Sequence, residues 1–367
     1  MTMTYKIFAI NPGSTSTKVA LFNGEECLFS KNIAHSADEL KQFKDLSSQF
    51  EYRTEIILSE LAAAGFGLDD VDAFVGRGGG LLSMEGGTYE LDELVLEHAR
   101  TCRNGVVHPA CLGPQIAHAL AEKYNKPAFV VNPPDTDEFC DLARMTGIKG
   151  VYRTCHLHAL NLKETAIRHA HSIGKKYEQC NFIVCHLGGG VSVSAHCKGK
   201  MIDGNDIVGG DGPMAPTRCG TVPVISLLDY MQSSGADAKT VRTMCMKTGG
   251  FMSLCGTADA RELTEKAKNG DQEAARAWNG FLYQTAKYIG EMAAVLCGQV
   301  DGILLGGGMV HNKDLVDYID EHCGWIAPVY AYPGEFEMEA MAAGAIRVLD
   351  GEETAKHYSG VSAWSGF

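Results

Sequence analysis

The sequence has little that would tie it to a membrane, to nucleic acid or to an oxidising compartment. No apolar run approaches membrane-spanning length, and Met1 to Ile10 lacks the charged lead and longer apolar segment of a signal peptide. Positive charge is scarce. Across 367 residues, 32 Lys plus Arg stand against 45 Asp plus Glu, a net charge of -13, so the basic footprint required by a nucleic-acid backbone is missing. There are 13 cysteines but no Cys-x-x-Cys spacing, and Cys185 and Cys297 sit in apolar stretches, which favours free thiols over disulfides or zinc. Cys155-His156, His169-x-His171 and His311 lack the helical or finger spacing of a closed metal site. Low-complexity tracts and obvious linkers are also absent. These exclusions point to a cytoplasmic protein with neither membrane nor nucleic-acid partners, in which small anions bind only where local arginines overrule the overall charge.

What the chain does have is duplication. The glycine-rich turn Asn11-Pro12-Gly13-Ser14-Thr15-Ser16-Thr17-Lys18 follows one apolar run (Lys6 to Ile10), and His186-Leu187-Gly188-Gly189-Gly190 follows another (Phe182 to Cys185). A second apolar run follows each turn (Val19 to Phe22; Val191 to Ala195) and reaches a hairpin signal, Asn23-Gly24 and Lys198-Gly199. Further on, Val71-Asp72-Ala73-Phe74-Val75-Gly76-Arg77-Gly78-Gly79-Gly80 parallels Val300-Asp301-Gly302-Ile303-Leu304-Leu305-Gly306-Gly307-Gly308. A Walker A loop is excluded, because the spacing differs and the first turn leads into a strand and hairpin rather than a helix. Any one such turn could be an ordinary tight hairpin. Two matched pairs of turns, carrying backbone donors and hydroxyls, suit a phosphate gripped from two sides.

The length suggests two domains. Apolar periodicity predicts helices over Ala37 to Ala64 and Phe281 to Cys297, each leading into a Val-Asp strand and a glycine turn. With an antiparallel three-strand opening in each half, this reads as α/β with mixed sheets rather than a purely parallel sheet. A buried strand over Lys126 to Asn132 empties into Pro133-Pro134-Asp135-Thr136-Asp137-Glu138, with a helix expected from Glu138 to Met145. Asp135 either caps that helix or faces a ligand at the strand exit. The domain change is expected near Arg153 to His158, giving domains 1–155 and 156–337. A carboxy-terminal helix from Glu335 to Leu349 leaves 338–367 able to complete the first domain, and Tyr358 to Phe367 is either docked or frayed.

Arg77 and Arg218 lie among glycines and apolar residues, where a guanidinium is open to a bidentate anion. An alcohol acceptor would need a base. A carboxylic acid, with a pKa of about 4 to 5 like glutamate, arrives ionised, so its difficulty is charge repulsion. Arginines and Mg²⁺ over a transferring phosphoryl group meet that difficulty. Asp137 or Glu138 suits Mg²⁺ or its waters, and His158 is either a donor to the transition state or a histidine at a helix start.

These motifs carry a resemblance. Asn-x-Gly-Ser-x-Ser-x-Lys, Gly-Arg-Gly-Gly-Gly, Pro-x-x-x-Asp-Glu, His-Ala-Leu-Asn, His-Leu-Gly-Gly-Gly and Gly-Gly-Gly together resemble the acetate kinase family, within the wider ATPase superfamily of sugar kinases, Hsp70 and actin. Among its members, the chain looks most like those that phosphorylate butyrate. The resemblance implies two duplicated RNase H-like domains around an interdomain cleft, ATP and Mg²⁺ as cosubstrates, and reversible formation of an acyl phosphate. It implies that Asn11, Gly13, Ser14, Ser16 and Lys18 form a first phosphate loop and His186 with Gly188, Gly189 and Gly190 a second. Asp259, Arg261, Gly306, Gly307 and Gly308 would serve the nucleotide, while Arg77, Arg218 and His158 serve the reacting groups. Asp137 and Glu337 would direct the metal, with Asp135 and Glu335 close enough to compete for those assignments. Asp259 and Arg261 could equally be a surface ion pair. Leu157 stands where relatives commonly have Phe, and Asn132-Pro133 where they often have Asp-Pro. The resemblance also implies a homo-oligomer. Other acceptors consistent with it are branched-chain and other short-chain acids, acetate and propionate; a non-enzymatic ATP switch and a sugar kinase are the readings of other classes.

Overall fold

The computed structural model describes residues 4–367. Met1 to Met3, the start of the segment read above for a signal peptide, lie outside the described residues. The chain divides into two compact units, Met1–Asp137 with Phe336–Phe367, and Glu138–Glu335. The expected boundary at 155/156 thus moves to 137/138, and side-chain anchoring explains the difference. The buried Glu138 carboxylate accepts from Lys163 Nζ at 2.8 and 2.9 Å and from the Met201 backbone N–H at 2.8 Å. Arg153 donates to Asp203 and Asp211, both at 3.0 Å, so residues 138–155 are fastened to the second unit at both ends.

In the first unit, strands β1 (Lys6–Pro12), β2 (Ser16–Asn23), β3 (Glu26–Ala34), β4 (Ala73–Gly76), β5 (Thr88–Glu90) and β6 (Ala128–Val131) form one sheet in the order β3-β2-β1-β4-β6-β5. In the second, β7 (Asn181–Leu187), β8 (Val191–Cys197), β9 (Lys200–Gly204), β10 (Gly302–Gly307) and β11 (Val329–Pro333) are ordered β11-β10-β7-β8-β9. Both sheets begin with an antiparallel meander, after which the first strand pairs in parallel with a later one, β1 with β4 and β7 with β10. The repeat read in the sequence is therefore a repeat of topology, with β5 as an addition in the first unit. The hairpins close differently. Lys198 and Gly199 both take positive φ (49° and 87°), as a type I′ turn requires, whereas the first hairpin turns through Gly24-Glu25 with Asn23 still paired.

Continuous apolar sequence in the central strands reflects burial on both faces. In β7, Ile183 and Cys185 join one core with Phe281, Leu282 and Ile289, while Phe182 and Val184 join another with Leu162, Ala166 and Leu304. The first unit packs Phe8, Ile10, Val19 and Leu21 with Ile57, Leu61, Ile116 and Leu120. The helix expected over Ala37 to Ala64 is broken into Ala37–Leu40 and Phe50–Ala63, because Ser36 caps the first piece and the following residues carry few buried side chains to hold a second turn. The second long helix starts earlier than its apolar stripe, at Gln272, where Asp271 accepts from the N–H groups of Glu273 and Ala274. The helix expected over Glu138 to Met145 shrinks to Asp141–Arg144, since Glu138 is committed to Lys163. The carboxy-terminal helix, Glu337–Leu349, packs on β1, β4 and β6 of the first unit. The tail is docked at Tyr358, whose hydroxyl accepts from the Leu82 N–H at 2.8 Å and pairs with His98 Nδ1 at 2.9 Å.

A close backbone approach positions the end of β4. A Cβ on Gly76 would overlap the Gly113 carbonyl, and a Cβ on Gly113 would overlap the Arg77 carbonyl, so the Leu112–Tyr124 helix abuts the strand that carries Arg77. We expect Gly113→Ala to cost about 1–3 kcal/mol through overpacking, read as a lower urea midpoint, and to lower activity in the folded fraction. An unchanged midpoint would contradict this contact.

Candidate active site

Each unit gathers a set of polar groups at the exits of its first and fourth strands, and the two sets differ in character. In the first unit, the Gly13 N–H donates to the Ser16 carbonyl at 2.7 Å and closes the turn between β1 and β2, leaving Ser14 and Thr15 exposed. Lys18 sits opposite Asn11 in the β1–β2 register. The Asn11 amide donates to Glu337 Oε2 at 2.9 Å, and Glu337 Oε1 lies 3.9 Å from Arg77 Nε. Arg77 continues β4, its own N–H donating to the Ile10 carbonyl at 2.8 Å, with a side chain only 11% exposed. Asn11, Arg77 and Glu337, which are far apart in sequence, thus meet. Asp137 is buried, and its N–H donates to the Met84 carbonyl at 2.8 Å. Asp135 is held instead by the Asn104 amide at 2.6 Å and has its other oxygen enclosed; burial pushes its carboxyl up to about 6. His108 is a residue the sequence reading missed. Its Nδ1 accepts from the Ala110 N–H at 3.2 Å, and burial, Arg77 and Arg53 all push its pKa down.

The second unit brings together His158, His186, Gly190 and Arg218. His186 is near the end of β7 and stacks on His158, with ring centroids 4.1 Å apart and planes inclined by 24°. Gly190 is a glycine of necessity, since a Cβ there would overlap Arg218 Nη1 and crowd His158. The Nε and Nη1 atoms of Arg218 are enclosed and have no hydrogen-bond partner among the described residues. Such donors are costly to leave unmet. Burial lowers the Arg218 pKa, and Asp206 opposes that shift.

A cavity of about 1020 Å³ borders this cluster. Gly188, Gly189, Asp259, Arg261, Trp278 and Gly308 line it, together with His311 and Glu335. Asp259 and Arg261 are at its rim and also paired with each other at 2.8 Å, so the surface ion pair and the cavity position coexist. Of the Gly306–Gly308 run only Gly308 reaches the cavity; Gly306 and Gly307 belong to β10, where a Cβ on Gly307 would overlap the Leu187 carbonyl. Glu335 and Glu337, two residues apart, part company: Glu335 lies 3.9 Å from His186 Nε2 in the second unit, and Glu337 belongs with Asn11 and Arg77 in the first.

The fold is a duplicated mixed-sheet α/β architecture with paired glycine turns, and comparison with known proteins shows the class of phosphotransferase to which it belongs. The profile described as the acetokinase family matches residues 148–320. The chain is 44% identical to the probable butyrate kinase of Clostridium botulinum (strain Alaska E43 / Type E3) over 97% of its own length and 100% of that protein. It is 42% identical to butyrate kinase 2 of Clostridium acetobutylicum, again over 97% and 100%. Among solved structures, the acetate kinase of Porphyromonas gingivalis superposes with a TM-score of 0.77 at 19% identity, covering 94% of this chain and all of that one. A propionate kinase of Francisella tularensis gives 0.70 at 18%, covering 92% and 98%. The chain belongs to the acetokinase family, and it is an enzyme, a phosphotransferase whose acceptor is the carboxyl group of a short-chain acid. Among the described residues no helix is long and apolar enough to cross a membrane.

Ser192, on β8, is a second residue that motif reading missed. Its hydroxyl accepts the His158 backbone N–H at 3.3 Å and meets His158 Nδ1 at 2.7 Å. The hydroxyl has one proton and two lone pairs, so the tautomer of the His158 ring sets the direction of the Nδ1 contact, and a hydroxyl that donates there leaves the ring proton on Nε2. We expect Ser192→Ala to lower turnover about tenfold, the worth of one orienting hydrogen bond, with Ser192→Thr retaining most of the rate. Equal rates for wild type and the alanine variant would remove Ser192 from the site.

Proposed function

We propose that the protein catalyses ATP + butyrate = butyryl phosphate + ADP by direct in-line transfer. The observation that carries the proposal is the enclosed, unpartnered guanidinium edge of Arg218 beside Gly190 and His158. The reading asks for no base, because an ionised acid has no proton to give up. A carboxylate oxygen attacks the γ-phosphorus, the bond from that phosphorus to the β,γ-bridging oxygen breaks, and the electron pair leaves with ADP. Arg77 and Arg218 offset the repulsion between the acid and the phosphoryl oxygens, and His158 donates from Nε2 to an oxygen of the moving group.

In this reading Asn11, Gly13, Ser14, Ser16 and Lys18 receive the phosphate chain, as do His186 and Gly188, Gly189 and Gly190. The cavity bordered by Asp259, Arg261 and Gly308 takes the adenosine, its size being at the upper limit of small-molecule sites. Gly306 and Gly307 shape the strand behind it. The carboxylates suit Mg²⁺, which is commonly held by one or two carboxylates with water and phosphate, and Asp137 and Glu337 are two carboxylates of the first unit. Asp137 and Glu337 would hold it, and when bound it would supply charge neutralisation at the phosphate oxygens. Assembly into a homo-oligomer and a cytoplasmic setting belong to the same proposal. The Val224–Ser234 helix, with Val224, Ile225 and Leu228 more than half exposed and no buried residue, supports the former, and 13 free thiols support the latter.

We expect ATP, Mg²⁺ and butyrate to yield butyryl phosphate that hydroxylamine traps, with ADP release stimulated more by butyrate than by acetate and not by glycerol. Stimulation by glycerol alone would favour a sugar or polyol kinase, and ADP release unaffected by any acid would favour an ATP switch. Arg218→Ala and Arg77→Ala should each lower turnover by about 10²–10³ with little change in ATP affinity, the scale seen when one preorganised charge donor is lost. Turnover within twofold of wild type in either variant would remove that arginine from the mechanism.

A further inference from the structure

Arg53 is the largest wholly buried side chain of the molecule, at 0% exposure, and its surroundings are unusual for a buried cation. From the Phe50–Ala63 helix, Nη1 donates to the Gly13 carbonyl at 3.1 Å, the Ser16 carbonyl at 3.3 Å and Thr17 Oγ1 at 2.9 Å. Nε and Nη2 both donate to Gln49 Oε1, at 3.1 and 3.0 Å. Every acceptor is neutral, and no carboxylate pairs with the guanidinium among the described residues. An isolated buried charge is destabilising unless something answers it, and replacing one with an apolar residue is often neutral or better for stability. Gripping a turn needs only donors, which a neutral side chain could supply. The retained positive charge therefore calls for an anion.

The turn that Arg53 grips is the one assigned above to phosphate. Drawing the Gly13 carbonyl inward faces the N–H of the same planar peptide, that of Ser14, the opposite way, so the clamp orients a backbone donor on the far side. Thr17 is held from its other side by His35, whose Nε2 lies 2.8 Å from Oγ1 and whose own charging is opposed by burial and by Arg53. His108, near Arg77, also feels the Arg53 charge, so the field of Arg53 reaches the face on which Arg77 lies.

We propose that Arg53 is a positioning residue for the phosphate turn, a buried cation whose counter-ion is the phosphate chain of the bound nucleotide. This rests on the assignment of the Asn11 to Lys18 turn to phosphate, and the test separates the two. The KM for ATP and for butyrate, together with the dissociation constants of ADP and adenosine, would be measured for Arg53→Gln, Arg53→Lys and, as the control on the turn itself, Ser16→Ala. Arg53→Gln is expected to raise the ATP KM about tenfold or more while adenosine, which has no phosphate, binds within about twofold of wild type and the butyrate KM changes little; a tenfold loss is about 1.4 kcal/mol. Arg53→Lys should recover most of the ATP affinity, and the glutamine variant should show a weaker salt dependence of ATP binding.

If Ser16→Ala raises the ATP KM and Arg53→Gln does not, the inference about Arg53 is overturned and the turn assignment stands. If neither changes it, the turn assignment falls. Equal losses of ADP and adenosine in Arg53→Gln would mean a merely structural role and would also overturn the inference. Should the glutamine variant not accumulate as folded protein, Arg53→Lys carries the test: equal losses of adenosine and ADP affinity would overturn the proposal, and ADP and ATP affinities close to wild type would sustain it.

Discussion

A guanidinium enclosed in protein without a carboxylate at bonding distance is costly, and the proposed chemistry rests on this chain keeping such groups. Arg218 holds two enclosed N–H edges that no protein atom accepts, and Arg77 has its nearest carboxylate, that of Glu337, at 3.9 Å. In a protein of net charge -13, with carboxylates in excess, leaving arginines unquenched is a selective arrangement rather than a default. It is the arrangement that two anionic reactants require, since both the acid and the phosphate chain bring negative charge and neither presents a proton to remove. Elsewhere the same chain does pair buried charges of opposite sign, as with Lys163 and Glu138.

The backbone makes these enclosed charges possible. Glycines let main chain come so near that side chains are forced into defined places: Gly190 leaves room for Arg218 beside His158, and Gly76 with Gly113 sets the end of β4 from which Arg77 projects. Strand ends then supply the rest. β1 delivers Asn11, β4 leads to Arg77, β7 delivers His186, and the return strand β8 places Ser192 under His158. Because each unit repeats the same meander and parallel pairing, one local arrangement, a turn following the first strand, occurs in both, and both turns are the ones proposed to receive phosphate.

Much of this was legible in the sequence, for identifiable physical reasons. Buried strands are continuous apolar runs, glycine turns interrupt them, and both recur at matching places, so the mixed-sheet α/β fold and its duplication could be read directly. What could not be read is what depends on distant contacts. The unit boundary is at Asp137 because Glu138 finds Lys163 and Met201 far along the chain, and no composition change marks it. Arg53 looked like one polar position in an amphipathic helix, although its position four residues before Ile57 and eight before Leu61 placed it on the buried face and was a usable signal. Ser192 lay within a strand pattern in which alternation promised only burial. Glu335 and Glu337 are neighbours in sequence with the same chemistry, and only the start of the final helix separates their surroundings.

The central proposal, that the enclosed guanidinium groups of Arg218 and Arg77 are the places where the anionic reactants sit, is tested most directly by side-chain NMR of isotopically labelled arginine in the intact enzyme. On addition of a non-hydrolysable ATP analogue with Mg²⁺ and butyrate, the Nε–H signals of Arg218 and Arg77 should shift and exchange with water far more slowly. Arg347, already paired with Glu353, should stay where it is. Signals from Arg218 and Arg77 that do not move with ligands bound would contradict the account.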